Sequence, residues 1–251
     1  MSNLVLRTLT ALIGGTLFIL LLTVHLYTYY LLWAIIGIIC TWEWKKMFSL
    51  SYFLWSYMML SIFVLNVSIL LEYKANYGLI LVLYTVFILF LAIPDKVQQV
   101  LYALLGILYL AIPLVVLFSW VKNEPFYFRA VFVAILVWIS DISAYFVGRY
   151  WGRHPLFLRI SPKKTVEGLI ASFIACGIAV FLAFELNFVR ESKYLWVGVI
   201  VTVCTPIGDL VESAIKRYAC IKDSSQLLPG HGGFLDRFDG FFFSVVAQSW
   251  I

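Results

Sequence analysis

The sequence predicts an all-α, polytopic membrane protein, and three observations carry that prediction. Hydrophobic residues fill 63% of the 251 positions while charged residues fill 12%, about half the charged share of a soluble domain. Mean hydropathy is +0.99. Apolar runs recur from Leu9 to Val211, long enough as helices to cross a hydrocarbon core of ~30 Å. Aromatic residues at 18% fit a bilayer protein with Trp and Tyr belts at both interfaces.

Breaks between the apolar runs place eight spans near residues 8–24, 26–42, 53–71, 78–93, 99–120, 127–147, 166–185 and 195–213. The run from Thr8 to Cys40 is too long for one helix and divides around His25, which reads as a turn or interface residue. The first run is too continuous for a cleaved leader and lacks a small-residue cleavage site, so it is expected to stay. GFFFSVVAQSWI at 240–251 is too short to cross and is expected to re-enter or to lie at the interface. No linker interrupts the chain, so residues 1–251 form a single membrane domain. Its N-terminal helices occupy 1–125, and 126–251 is the half expected to carry any catalytic site. Cys40, Cys176, Cys204 and Cys220 are scattered without a C-x-x-C pair, which argues against a disulfide framework or a zinc site.

Basic residues orient the spans. Lys45 and Lys46 follow span two; Arg149, Arg153, Arg159, Lys163 and Lys164 follow span six; Lys216, Arg217, Lys222 and Arg237 follow span eight. In an eight-span chain these clusters share one side with the N-terminus and Arg7, and the positive-inside rule makes it cytoplasmic. The expected location is therefore the inner, cytoplasmic membrane. The net charge of +5 concentrates on that face, through topology and anionic lipid or for a polyanionic substrate. No nucleic-acid partner is expected.

Several ionisable residues sit where a bilayer disfavours them, and such groups normally face a protein interior or a wet cavity. Asp141 lies in WISDISAYFVGRYWGR, accompanied by Ser140, Ser143 and Tyr145. In TPIGDLVESAIKR, the residues Asp209, Glu212 and Lys216 share one helical face. A structural ion pair accounts for Glu212 and Lys216, but Asp209 and Asp141 have no cation three or four positions away. Pro206 and Gly208 give the composition of a broken membrane helix that lines a cavity. In ISPKKTVEG, Pro162 suits a first helical turn and Ser161 a cap, which would set Lys163 and Lys164 at a positive helix end as a phosphate corner. S-A-I-K at 213–216 matches the S-x-x-K of penicillin-binding enzymes, yet neither S-D-N nor K-T-G follows.

The densest polar stretch is KDSSQLLPGHGGFLDRFD at 222–239. PGHGG supplies backbone able to wrap a phosphate. Asp236 and Asp239, three apart, can hold a hard cation, since Mg²⁺ takes a few carboxylates and completes its shell with water and substrate phosphates. Arg237 offers a planar fork to phosphate oxygens.

SAIKRYACIKDSSQLLPGHGGFLDRFD, residues 213–239, resembles the signature of the phosphatidate cytidylyltransferases (CDP-diacylglycerol synthases). The fixed positions are matched by Ser213, Lys216, Arg217, Lys222, Asp223, His231, Gly232, Gly233, Asp236, Arg237 and Asp239. DISAYFVGRYWGRHP, SPKKTVEG and GDLVES resemble the blocks that precede it. The detailed likeness covers about 140–239.

The resemblance implies condensation of CTP with phosphatidic acid to CDP-diacylglycerol and pyrophosphate, with Mg²⁺ required. It also implies a paired-metal site with Asp209 and Asp236 as ligands, a second monovalent cation such as K⁺, and a homodimer. On that reading Asp209, Asp236 and Asp239 bind metal, with Asp239 an additional or outer ligand. Lys216, Arg217, Arg237, Lys163, Lys164 and Lys222 grip phosphates. Asp223, His231, Gly232 and Gly233 orient loop or nucleotide, and Asp141 is a lower-ranked member of the site. Two other readings are a CTP-dependent lipid kinase acting on a polyprenol, whose product would carry no cytidine, and a secondary transporter, which would not need a glycine–aspartate loop.

Overall fold

The computed structural model describes residues 3–70, 84, 97–122, 125–157, 161–228 and 232–249. The all-α expectation holds, with one small hairpin added. Helices α1 (Asn3–Thr23) and α2 (Leu26–Met47) are separated at His25, as expected. His25 caps α2: its Nδ1 accepts from Tyr27 N at 3.2 Å, while its own N–H donates to Thr28 Oγ1 at 3.2 Å. Helices α3 (Tyr52–Leu70), α4 (Val97–Trp120) and α5 (Phe128–Tyr150) follow, then strands β1 (Pro155–Phe157) and β2 (Ser161–Thr165), and helices α6 (Val166–Glu185), α7 (Lys193–Tyr218) and α8 (Leu235–Ala247).

Among the described residues, five helices are long and apolar enough to cross a bilayer: α2, α4, α5, α6 and α7. Shorter apolar stretches, Leu12–Thr23 and Tyr52–Val67, lie in α1 and α3. The span expected at 78–93 falls outside the described residues, Tyr84 apart. Large apolar side chains such as Ile142, Phe146, Ile174, Ile178 and Phe181 point outward on α5 and α6. A face of that kind is what a membrane or another apolar surface covers.

The chain divides into two compact units. The first comprises Met1–Tyr127 and Asp223–Leu235. Its core is aromatic, with Tyr29, Trp33 and Trp44 fully buried. Two of these rings are tied to α4 by their polar edges: Tyr29 Oη donates to Leu117 O at 2.9 Å and Trp44 Nε1 to Tyr102 O at 2.9 Å. Gly106 admits the indole, since a Cβ there would fall 2.5 Å from Trp44 Nε1.

The second unit comprises Phe128–Lys222 and Asp236–Ile251. Its helices meet at small residues, which let backbones approach closely in a membrane protein. A Cβ on Gly168 of α6 would lie 2.8 Å from Ala144 O of α5, and one on Gly198 of α7 would lie 2.8 Å from Val180 Cγ2 of α6. The C-terminal segment forms α8, which buries Phe241, Phe242 and Val245.

Candidate active site

Two local expectations are corrected, the first where α6 begins. Ser161 and Pro162 neither cap nor open the helix. They lie in β2, antiparallel to β1 with Pro155 opposite Thr165. Both strands are edges, so the N–H missing from Pro162 costs the hairpin little. Thr165 is the actual cap and accepts from Gly168 N at 3.2 Å. Lys163 and Lys164 therefore sit on a strand, where neighbouring side chains point to opposite sides. Lys163 is exposed, while Lys164 turns inward and forms an ion pair with Asp209, its Nζ also donating to Pro206 O at 3.3 Å.

The second correction concerns α7. The expected break at Pro206 and Gly208 is absent, and one helix runs from Lys193 to Tyr218. Membrane helices tolerate an internal proline when neighbours re-satisfy the backbone. Gly208 has a different use: a Cβ there would lie 2.6 Å from Asp239 O and 2.9 Å from Gly240 Cα, so it lets α8 rest on α7. Gly240 is reciprocal, since its Cβ would stand 2.9 Å from Asp209 Oδ1. Thr205 and Ser244 hydrogen-bond across the same seam at 3.1 Å.

This seam gathers the acids. One turn beyond Asp209, the buried Glu212 pairs with Lys216, the i,i+4 pair read from the sequence. Lys216 Nζ also reaches Asp236 Oδ1 on the first turn of α8 at 2.6 Å. Asp239, a turn further along α8, lies in the field of Asp209 and Glu212. Desolvation, then those two carboxylates, push its carboxyl well above the usual carboxylate range. Asp141 of α5 lies within electrostatic reach of Asp209, Lys164 and Arg237. Among the described residues the cluster thus holds five acids against three bases, with a lysine on each of Asp209 and Asp236.

Among the described residues no three His, Cys, Asp or Glu side chains form a ready-made metal cage. The donor set nonetheless fits Mg²⁺, which uses one or two carboxylates with water and phosphate oxygens instead of an all-protein cage. The donors are hard oxygens, and the acids of the cluster outnumber its bases. Arg217, Lys222 and Arg237 are exposed.

Of the remaining site residues expected from the sequence, Asp223, Gly232 and Gly233 belong to the first unit, and His231 lies outside the described residues. Gly232 has φ 84°, a conformation that favours glycine. Leu228 N donates to Gly232 O at 2.8 Å and closes the tip of the loop. The loop's anchor went unread in the sequence. It is Glu43 of α2, 0% exposed, which accepts from Ser224 Oγ, Ser225 Oγ, Phe234 N and Leu235 N. The available signal was a carboxylate at the end of an apolar run, inside Trp42-Glu43-Trp44.

A family model described as the cytidylyltransferase family matches residues 5–250. The phosphatidate cytidylyltransferase of Staphylococcus saprophyticus is 40% identical over 146 residues, 57% of this chain and 55% of that protein. That of Staphylococcus epidermidis is 45% identical over 116 residues, 45% of this chain and 44% of the relative. That of Staphylococcus haemolyticus is 46% identical over 113 residues, 43% of each. The chain spans about half the length of the curated relatives it matches, or somewhat less.

Proposed function

The chain belongs to the cytidylyltransferase family, and from that premise we propose that it transfers the cytidylyl group of CTP to phosphatidic acid, giving CDP-diacylglycerol and pyrophosphate. The observation that carries the reading is the α7–α8 seam. Acids from chain positions 209 to 239 are packed there by Gly208 and Gly240, and a lysine neutralises each of Asp209 and Asp236. Such a cluster is suited to polyanion chemistry, in which positioning and charge neutralisation are most of the work.

An oxygen of the lipid phosphate attacks the α-phosphorus of CTP. The new P–O bond forms as the bond to the β-phosphate oxygen breaks, and pyrophosphate leaves. The nucleophile is already anionic at neutral pH, so no serine, cysteine or strong base is required. Asp209 and Asp236 would hold Mg²⁺, with Asp239 beside them, and the ion would supply neutralisation of charge on phosphate oxygens. Lys164 and Lys216 screen the aspartates and offer ammonium groups to incoming phosphates. The exposed Lys163, Arg217, Lys222 and Arg237 extend the positive surface. For Asp223, His231, Gly232 and Gly233 a role with the nucleotide rests on the signature. A monovalent second cation, a homodimer and an eight-span arrangement with the site at the cytoplasmic face of the inner membrane complete the proposal.

The test is Mg²⁺-dependent pyrophosphate release from CTP on addition of phosphatidic acid, with the lipid product identified by mass. Asp209→Asn and Asp236→Asn should abolish transfer and leave membrane insertion intact. Near-normal turnover in purified Asp236→Asn would refute the metal assignment. A phosphorylated lipid without cytidine would identify a lipid kinase instead.

A further inference from the structure

We propose that Glu43 is a positioning residue for the reaction: a carboxylate supplied by α2 that clamps both ends of the signature loop and sets the start of α8, whose second residue is Asp236. This rests on the proposed cytidylyl transfer, but the clamp itself is visible in the first unit alone. Glu43 is fully buried in a helix apolar enough to cross a bilayer. A carboxylate so placed is retained only if hydrogen bonds satisfy it. Among the described residues its partners are four N–H and O–H donors and no cation.

The donors are divided evenly. Oε1 takes the Ser225 hydroxyl at 2.6 Å and Phe234 N at 2.9 Å; Oε2 takes the Ser224 hydroxyl at 3.0 Å and Leu235 N at 2.8 Å. Each oxygen thus binds one hydroxyl from the loop's entry and one backbone amide from its exit. The single carboxylate closes the loop between residues 224 and 235. The amides it takes are at the N-terminus of α8, where the first N–H groups have no partner within the helix and negative charge is favoured. Glu43 therefore performs, from a sequence distance of 192 residues, the task that a local Ser or Asp cap performs elsewhere.

Gly233 provides an independent sign that the chain is shaped around this carboxylate. A Cβ there would fall on Ser224 Oγ and 2.5 Å from Glu43 Oε1, so only glycine leaves the carboxylate its place. The clamp by itself therefore requires glycine at this position of the signature. Leu235 N is held by Glu43, and Asp236 is the next residue, so loosening the clamp frees the backbone that presents the proposed metal ligand.

The test uses the full chain in lipid nanodiscs, measuring turnover, the KM for phosphatidic acid and hydrogen exchange by mass spectrometry. Glu43→Gln keeps the shape but loses the charge and turns an NH₂ toward donors. It should lower kcat by about tenfold or more while the KM for phosphatidic acid changes by less than about twofold. Exchange in residues 223–235 should accelerate about tenfold, with α6 unchanged. Glu43→Asp, which keeps the charge, should fall between Glu43→Gln and the wild type. If Glu43→Gln does not fold, Ser225→Ala, which removes one donor, should give the same pattern at smaller amplitude. Three results would overturn the proposal: kcat essentially unchanged, exchange in 223–235 unchanged, or exchange accelerated equally in α6. The exchange measurement needs no turnover. A wild type inactive with CTP would defeat the functional reading, whereas a protected loop that neither variant loosens would defeat this one.

Discussion

Gly208→Ala tests whether the α7–α8 seam sets the geometry of the acids. The added methyl would lie 2.6 Å from Asp239 O, 2.9 Å from Gly240 Cα and 3.0 Å from Phe243 Cβ, against an ordinary contact of at least 3.4 Å. Two of the three obstacles are backbone or Cα atoms, which cannot turn aside as a side-chain tip can. The helices must therefore part by about 0.8 Å at the residue that precedes Asp209. Overpacking of this kind costs about 1–3 kcal/mol, and replacing a helical glycine by alanine returns about 1 kcal/mol. The net loss of stability is small, about 0–2 kcal/mol. The effect on turnover is larger, because a displacement near 1 Å in a reacting constellation can cost about 10²-fold. The assay is pyrophosphate release in mixed micelles, run beside a thermal melt. Gly177→Ala is the control: its Cβ has nothing within 4 Å, so activity should be unchanged. A folded Gly208→Ala with turnover close to wild type would show that the seam does not govern the site.

Two further outcomes follow from the same unit. Lys216→Met removes the ammonium between the buried Glu212 and Asp236. Breaking a buried pair from one side costs about 3–5 kcal/mol, against about 0–1 kcal/mol at a surface, and the drop should appear in thermal unfolding as well as in loss of turnover. Thr165→Ala deletes the cap of α6 and should cost about 1 kcal/mol; Thr165→Ser should recover most of the melting temperature.

Features written at helical spacing were legible in the linear chain. The division at His25 could be read because one apolar run was too long for one helix. The Glu212–Lys216 pair could be read because residues four apart meet on a helix whatever surrounds them. The partner of Asp209 could not, since Lys164 is 45 residues away and reaches it only because β2 is a strand. That hairpin was hidden because Ser161-Pro162 imitates a helix start, and its strands, β1 three and β2 five residues long, leave no periodic pattern. Pro206 misled in the opposite direction. Its helix continues, and the adjacent glycine serves packing. Glu43 was hidden by distance alone, 181 to 192 residues from its donors.

By itself the sequence determined that the chain is a helical membrane protein, where most of its helices run, and which family its signature resembles. These follow from composition and short-range spacing, which act without regard to the rest of the fold. Tertiary structure decided which charges meet. It gave Lys164 to Asp209, Lys216 jointly to Glu212 and Asp236, and Glu43 to the loop at 224–235. The physical reason is that a buried charge is stable only beside its partner, and packing, not order along the chain, brings the partner there.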